Sequence, residues 1–276
     1  MPGTLYLVAT PIGNLNDFSP RAVQTLQSVD LIAAEDTRVT LKLLNHFEIK
    51  KPLISYHEHN HITAGQSVLQ QLLSGKHCAL VTDAGMPAIS DPGEDLVRLC
   101  AENHIEVLAI PGCCACISAL AVSGLPTGRF TFEGFLTVNR KGRMEHLRSL
   151  QQEERTMIFH EAPHKLLATL QDLCQVFGPQ RPVSLSREMT KLHEQTLRTT
   201  LSGAVEYFTE HPPKGEFVLC VAGAQPSTES NLTLEEGVAL VLRLRSQGAG
   251  MKDAVRQVAA DSGLNRNELY QAALQA

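Results

Sequence analysis

The 276-residue chain has no run of the ~18–20 apolar residues that a membrane-crossing helix needs, so no membrane partner is expected. Its opening residues, MPGTLYLVATPIGNL, carry no charged leader and no long apolar stretch, and no signal peptide is expected. Basic residues are not in excess. The 24 Lys and Arg stand against 29 Asp and Glu, a net charge of −5, which argues against a generally basic nucleic-acid binder but leaves room for a local basic patch. Cysteine is present seven times, an odd number scattered through apolar contexts. That fits a reducing cytoplasm better than a disulfide framework. Cys113, Cys114 and Cys116 cluster, but no Cys/His pair follows at zinc-ligand spacing, so no metal is expected.

The familiar nucleotide fingerprints are also missing. No G-x-G-x-x-G follows the first apolar run, and there is no G-x-x-x-x-G-K-[ST]. The one G-x-G, Gly248 to Gly250, lies in a helical C-terminal stretch. Classical NAD binding, P-loop chemistry and the commonest Gly-rich S-adenosylmethionine fold lose support. So do hydrolases, because no G-x-S-x-G, H-E-x-x-H or Cys/His pairing occurs. No internal repeat or low-complexity tract is present.

What is there is an alternation of short apolar runs and helical patterns. TLYLVA (Thr4–Ala9), LIAAE (Leu31–Glu35), PLISY, HCALVT and IEVLAI read as strands. Between them lie helices, one from Ser19 to Val29 with Ser19 as N-cap and Pro20 at the first helical position, and one that Asp36 or Thr37 could cap. CACISALAVSG closes the series as a helix. Such alternation implies α/β architecture with a parallel sheet covered on both faces. GLPTGR (Gly124–Arg129) reads as a linker. FTFEGFL, TMIFH, PVSLS and EFVLCVAG then read as strands, with helices from about Lys141 and from Pro163 through Val176, in a sheet expected to be mixed because some links are short. AQPSTESN (Ala224–Asn231) reads as a second linker. The rest has three helical stretches, broken at Gly248–Gly250 and Gly263, in a layout like a helix-turn-helix; both packing and RNA contact remain open for it.

Charge is uneven. Met1 to Gly128 holds 7 Lys/Arg against 12 Asp/Glu, whereas Arg129 to Arg198 holds 11 against 8. VNRKGRMEHLR (Val138–Arg148) is either a solvated helix start or a phosphate-contacting loop.

Three turn-rich segments, ATPIGN, TDAGMPAISDPG and IPGCCA, sit just after predicted strands. Ligands of open α/β sheets bind beyond the carboxyl ends of the strands, so adjacent strands would make these loops converge on a cleft. Glycine there lets a ligand lie against bare backbone, with Asp83 as an acceptor at the rim. Polar segments cluster at other strand ends: AEDTR, SYHEHN, SREMTKLHE and PKGEF. One such segment alone would be a salt-bridged surface or a cap, and Asp36 could simply be an N-cap. Four together favour a polar cleft.

TPIGNLND, AEDTR, SYHEHN, VTDAGMPAISDPG, IPGCCACISAL, SGLPTGRFTFEGFL, FHEAPHKL, SREMTKLHEQ and KGEFVL occur in this order over about Leu5–Val221. Together they closely resemble the ribosomal RNA small subunit methyltransferase I family of the tetrapyrrole methylase superfamily. The resemblance implies two α/β domains of the tetrapyrrole methylase type, here residues 1–125 and 130–224, with a cofactor cleft between them, and a small C-terminal helical region, 232–276, that contacts RNA. It implies S-adenosylmethionine as methyl donor, 2′-O-methylation of a cytidine in the decoding region of 16S rRNA (naked or in the small ribosomal subunit), a homodimer and a cytoplasmic location. The family often has Pro-Gly-Pro-(Ser/Cys)-Ala where this chain has Pro111-Gly112-Cys113-Cys114-Ala115, and Thr where it has Met86.

By that resemblance the donor site is expected at Thr10, Pro11, Asp83, Ala84, Gly85, Ile89, Ala115, Cys116 and Ala162. The acceptor side is expected at Glu35, Asp36 and Arg38 with Glu188, Lys191 and Glu194, Glu188 as the base and Lys191 as partner of the alkoxide. Arg140, Lys141 and Arg143 are expected to hold phosphates. Two other readings stay open: a tetrapyrrole-precursor methylase with the same cofactor and fold, which needs neither the basic loop nor the extra helices, and a non-catalytic RNA-binding ribosome assembly factor.

Overall fold

The computed structural model describes residues 1–225 and 232–276, apart from the side chains of residues 260 and 261. The linker expected over Ala224–Asn231 therefore lies, from residue 226 on, outside the described residues. The chain forms two compact units, Met1–Gly223 and Ala224–Ala276. No helix among the described residues is long and apolar enough to cross a membrane.

The first unit contains two five-stranded sheets. Strands β1 (Leu5–Val8), β2 (Leu31–Ala34), β3 (Leu53–Ser55), β4 (Cys78–Val81) and β5 (Val107–Ile110) are all parallel, in the order β3-β2-β4-β1-β5. They alternate with helices α1 (Pro20–Ser28), α2 (Thr37–His46), α3 (His61–Leu73), α4 (Glu94–Glu102) and α5 (Ala115–Val122). Strand side chains alternate between faces. Leu5, Leu31, Ala33, Cys78 and Leu80 pack with Val68 and Leu72 of α3 and with Leu96 and Cys100 of α4. Val8, Ile32, Ala34, Ala79 and Val81 pack on the opposite face with Ala22 and Leu26 of α1 and Leu44 of α2. Coverage on both faces is why these strands read as continuous apolar runs. The caps are local: Ser19 Oγ accepts from Ala22 N at 3.1 Å, with Pro20 opening α1, and Asp36 Oδ1 accepts from Arg38 N at 2.8 Å to start α2.

The second sheet comprises β6 (Phe130–Phe135), β7 (Thr156–Glu161), β8 (Pro182–Arg187), β9 (Gln195–Thr200) and β10 (Phe217–Val221), in the order β6-β7-β10-β8-β9. It is mixed: β6 and β7 are parallel, and β10 runs antiparallel to β7 and β8. Helices α6 (Arg140–Ser149), α7 (Pro163–Phe177) and α8 (Leu201–Glu210) accompany it. Met157, Phe159, Val183, Leu185, Leu219 and Val221 meet these helices in the largest core. The alternate residues Ile158, Val218 and Cys220 meet Cys116, Ala119 and Leu120 of α5. Helix α5, which follows the first sheet in sequence, thus packs on the second.

Strand β9 and helix α8 are absent from the sequence-based expectation. QTLRTT has a single apolar residue, Leu197, and lies at the sheet edge, where its pairing with β8 from Pro182↔Thr200 to Arg187↔Gln195 supplies the stability that composition does not.

The second unit is three helices, α9 (Leu234–Ser246), α10 (Met251–Ser262) and α11 (Arg266–Gln275), broken where the glycines predict. Thr233 and Glu236 form a capping box at α9, and Gly263, in the left-handed region at φ 68°, ends α10. Val241, Ala254, Val255, Val258, Leu269 and Ala273 form its core.

Candidate functional site

Strands β4, β1 and β5 lie side by side, so the three turn-rich segments leave one edge of the sheet together. Thr10 and Gly85 join the first two loops in an antiparallel bridge, Thr10 N to Gly85 O at 2.9 Å and Gly85 N to Thr10 O at 3.1 Å. Gly85 holds φ 91°, a conformation that disfavours any side chain. The bridge turns the Asp83–Gly85 backbone toward a cavity of about 540 Å³, within the ordinary range for small-molecule sites.

The cavity lies between these loops and the exposed end of the second sheet. Its walls include Ile12, Asp83, Ala84, Gly85, Met86 and Ile89, then Cys114, Ala115 and Cys116 at the start of α5, and Glu161, Ala162, Pro163 and His164 at the start of α7. Of the expected donor-site residues, Asp83, Ala84, Gly85, Ile89, Ala115, Cys116 and Ala162 line it. Pro11 is not on its wall, and Thr10 is buried behind it with Oγ1 donating to Thr82 O at 3.0 Å.

Three carboxylates meet at one end. Glu35 accepts from Asp83 N at 3.3 Å, and Asp83 accepts from Asp36 N at 3.2 Å. Asp91 shares the wall. Desolvation pushes the pKa of each of the three upward. Asp91 moves furthest, to about 7, through burial and then through the charges of Glu35 and Asp83. Like charges that close cannot all ionise freely.

Opposite stands a cation. Lys191 Nζ lines the cavity and donates to Glu188 Oε1 and to Glu216 Oε2, each at 3.0 Å. Burial alone would lower its pKa, but the bonds to Glu188 and Glu216 outweigh it and the ammonium is held charged. Glu188 has a different situation from the base expected of it. Its carboxylate is not on the cavity wall; Oε1 accepts from Glu216 N at 3.0 Å as well as from Lys191, and these bonds hold its pKa below the usual range. A depressed pKa with its lone pairs engaged suits an anchor for Lys191 better than a proton acceptor. The residue needs φ 48° to reach this position, and Gly215 must stay bare, since a Cβ there would lie 2.4 Å from Glu188 Cγ.

His160 faces the cavity because β7 alternates, with Phe159 pointing into the helix-covered core. Among the described residues its buried Nε2 has no hydrogen-bond partner, and burial lowers its pKa, which favours the neutral ring. Phe135 sits edge-on to it, 5.3 Å between centroids, and is 60% exposed at the mouth.

Other expected residues stand apart. Asp36 caps α2 and pairs with the 88% exposed Arg38, Nη2 to Oδ2 at 2.6 Å. Glu194 accepts from Thr190 N at 2.8 Å and tightens the Lys191 loop. Arg140 and Arg143 both bond Asp172 of α7, at 2.9 and 2.7 Å; Arg143 is buried there, whereas Lys141 projects from the first turn of α6. In SYHEHN, buried Tyr56 donates to Asp95 Oδ1, and His61, the next residue after that segment, contacts Asp95 Oδ2 through Nδ1, each at 2.5 Å, which pins the loop to α4 away from the cavity.

Compared with known proteins, residues 4–205 match the model described as Tetrapyrrole (Corrin/Porphyrin) Methylases, and residues 234–276 match the RsmI C-terminal HTH domain. A Synechocystis protein named ribosomal RNA small subunit methyltransferase I is 54% identical over 274 residues, covering 99% of this chain and 98% of its own. One of the same name from Halalkalibacterium halodurans is 47% identical, covering 97% and 93%. The chain belongs to the ribosomal RNA small subunit methyltransferase I family. It has the tetrapyrrole methylase fold, as does uroporphyrin-III C-methyltransferase of Thermus thermophilus, solved in complex with S-adenosylhomocysteine: TM-score 0.54, 18% identity, 79% of this chain and 97% of that one.

For this methyltransferase family member, sequence reasoning missed Asp91, His160 and Phe135, whereas Glu216, in the strand-end segment PKGEF, was already among the residues read as a polar cleft. Asp91 was within reach, as the second aspartate of TDAGMPAISDPG. The other two carry no local signal, since each is placed by strand alternation.

Proposed function

We propose that the protein transfers a methyl group from S-adenosylmethionine to the ribose 2′-hydroxyl of a cytidine in the decoding region of 16S rRNA. The observation that carries this reading is the juxtaposition, on one cavity, of a bare-backbone loop at Asp83–Gly85, a charged Lys191 and the Asp91 carboxyl, whose pKa burial raises to about 7. The donor fits the residues present. Ala84, Gly85, Ala115 and Ala162 leave room for it, the carboxylates suit its positive charge, and His160 Nε2, without a partner among the described residues, is a buried polar atom that a polar ligand would satisfy.

When bound, the donor supplies a sulfonium-activated methyl. The chain's own groups do the rest. The Asp83–Gly85 and Ala115–Cys116 backbones fix the donor's position, and proximity supplies much of the rate. Asp91, with a pKa near 7, takes up the proton of the hydroxyl. Lys191, aimed by Glu188 and Glu216, stabilises the developing alkoxide. Phe135 at the mouth offers a face on which a splayed base can stack. Lys141 and the exposed Arg140 meet RNA phosphates, the helical unit 232–276 adds RNA contacts, and the enzyme works as a cytoplasmic homodimer.

The test uses methyl-labelled S-adenosylmethionine and small ribosomal subunits from cells lacking this activity. After digestion, label in one 2′-O-methylcytidine is expected. Label only on a tetrapyrrole precursor would replace this reading with a small-molecule methylase. Donor binding with label on neither substrate would leave a non-catalytic assembly factor.

A further inference from the structure

Cys114 and Cys116 stand on the cavity wall with their sulfurs 3.4 Å apart. Cys114 is the N-cap of α5, in an extended conformation at φ −147° and ψ 103°, so its side chain lies outside the rigid helix while Cys116 lies in the first turn. A disulfide needs an S–S distance of about 2.05 Å, so forming one requires the two sulfurs to draw together from 3.4 Å. Four of the other cysteines are differently placed. Cys113 points away, its sulfur toward Asp17 O at 3.7 Å. Burial pushes the thiols of Cys78 and Cys220 up to about 12 and that of Cys100 to about 11, leaving them inert. Cys114 is shifted the other way by its contact with the Cys116 thiol, and Cys116 is shifted up in turn.

We propose that Cys114 and Cys116 are a reversible oxidation site whose disulfide reshapes the cavity wall and weakens methyl-donor binding. The disulfide stands on the thiol geometry alone; its effect on the donor rests on the function proposed above. The oxidant is a peroxide. The Cys114 thiolate attacks one peroxide oxygen, the O–O bond breaks, and the departing hydroxide takes a proton to become water. Cys116 sulfur then attacks the Cys114 sulfenic acid, the S–O bond breaks, and the leaving hydroxide combines with the Cys116 proton as a second water. Two thiols lose two electrons, and hydrogen peroxide becomes two waters. A small dithiol reverses the change.

The full-length protein is treated with stoichiometric hydrogen peroxide, alkylated at its remaining thiols, digested and mapped by mass spectrometry. In parallel, S-adenosylhomocysteine affinity is measured by calorimetry before oxidation, after it, and after dithiothreitol. The expected result is loss of two hydrogens across Cys114 and Cys116, a dissociation constant raised about tenfold, and recovery of both on reduction. Cys114→Ser and Cys116→Ser each abolish the disulfide, whereas Cys113→Ser retains it. A bond through Cys113, or sulfinic acid alone, overturns the site. A disulfide with unchanged affinity overturns the effect on binding. Reduced protein that fails to bind S-adenosylhomocysteine counts against the donor reading and leaves the mass result to decide the site by itself.

Discussion

Gly13 and Lys191 approach so closely that a β-carbon on Gly13 would lie 2.4 Å from Lys191 Cγ. The loop after β1 therefore presses on the stem of Lys191, carried by the β8–β9 loop, while Glu188 and Glu216 hold its ammonium.

Gly13→Ala should displace Lys191 while leaving the donor wall intact. Misplacement by about 1 Å can cost up to ~100-fold in rate, so kcat is expected to fall at least about tenfold with donor affinity nearly unchanged. Single-turnover kinetics together with calorimetry on S-adenosylhomocysteine separate the two. An unchanged kcat would remove Lys191 from the chemistry.

Asp91 should set the acidic limb of the pH profile. A base works deprotonated, so kcat/KM is expected to rise with pH through about 7, the value to which burial and the neighbouring charges push Asp91. Asp91→Asn should abolish that limb and lower the rate by about 10²–10⁴. A limb that persists in the variant would assign the proton to Glu35 or Asp83.

The same residue predicts a stability effect of opposite sense. Its folded-state pKa is raised from the ordinary 3.8, so the folded protein holds a proton that the unfolded chain releases between about pH 4 and 7. Stability from this group is complete below that window and is lost as pH rises through it. Asp91→Asn should therefore melt above the parent protein at pH 8 and close to it near pH 4. Equal melting curves at pH 8 would show that the carboxylate ionises without penalty.

Asp172 is 4% exposed at its side chain and holds Arg143, itself buried, together with Arg140. Asp172→Ala strands the Arg143 guanidinium without its charge partner, which costs about 3–5 kcal/mol. Thermal or denaturant unfolding should show a loss of that order, with α6 the first helix to lose amide protection in hydrogen exchange. A loss below about 1 kcal/mol would mean that Arg143 reaches water when Asp172 is gone.

Lys141 should contribute to RNA binding through charge alone. Lys141→Ala is expected to lower the slope of log K against log salt by about 0.7–0.9, the release of one counterion, without altering which nucleotide is bound. An unchanged slope would take the first turn of α6 out of the interface.

Much of the fold was legible because the signals are local. Ser19 followed by Pro20 announces α1, Gly248–Gly250 and Gly263 divide the last three helices, and unbroken apolar runs such as CALV report strands covered on both faces. QTLRTT was not legible, since an edge strand with one apolar residue is made by its neighbour β8 and not by its composition. Within the candidate site the glycine-rich loop announced itself for the same local reason: bare backbone after a buried strand is rare without a use. Glu188 marks the limit. A carboxylate and a lysine three residues apart suggest an acid–base pair, but only the tertiary structure brings the Glu216 amide to that carboxylate and makes it an anchor.

The amino-acid sequence by itself determined the α/β alternation of the first sheet, the breaks between the last three helices, the family and the loop that faces the cavity, because each depends on residues adjacent in the chain. The tertiary structure alone decided which groups share the cavity. Asp91, Lys191 and His160 come from three distant segments, and their protonation states follow from burial and from neighbours that no local pattern encodes.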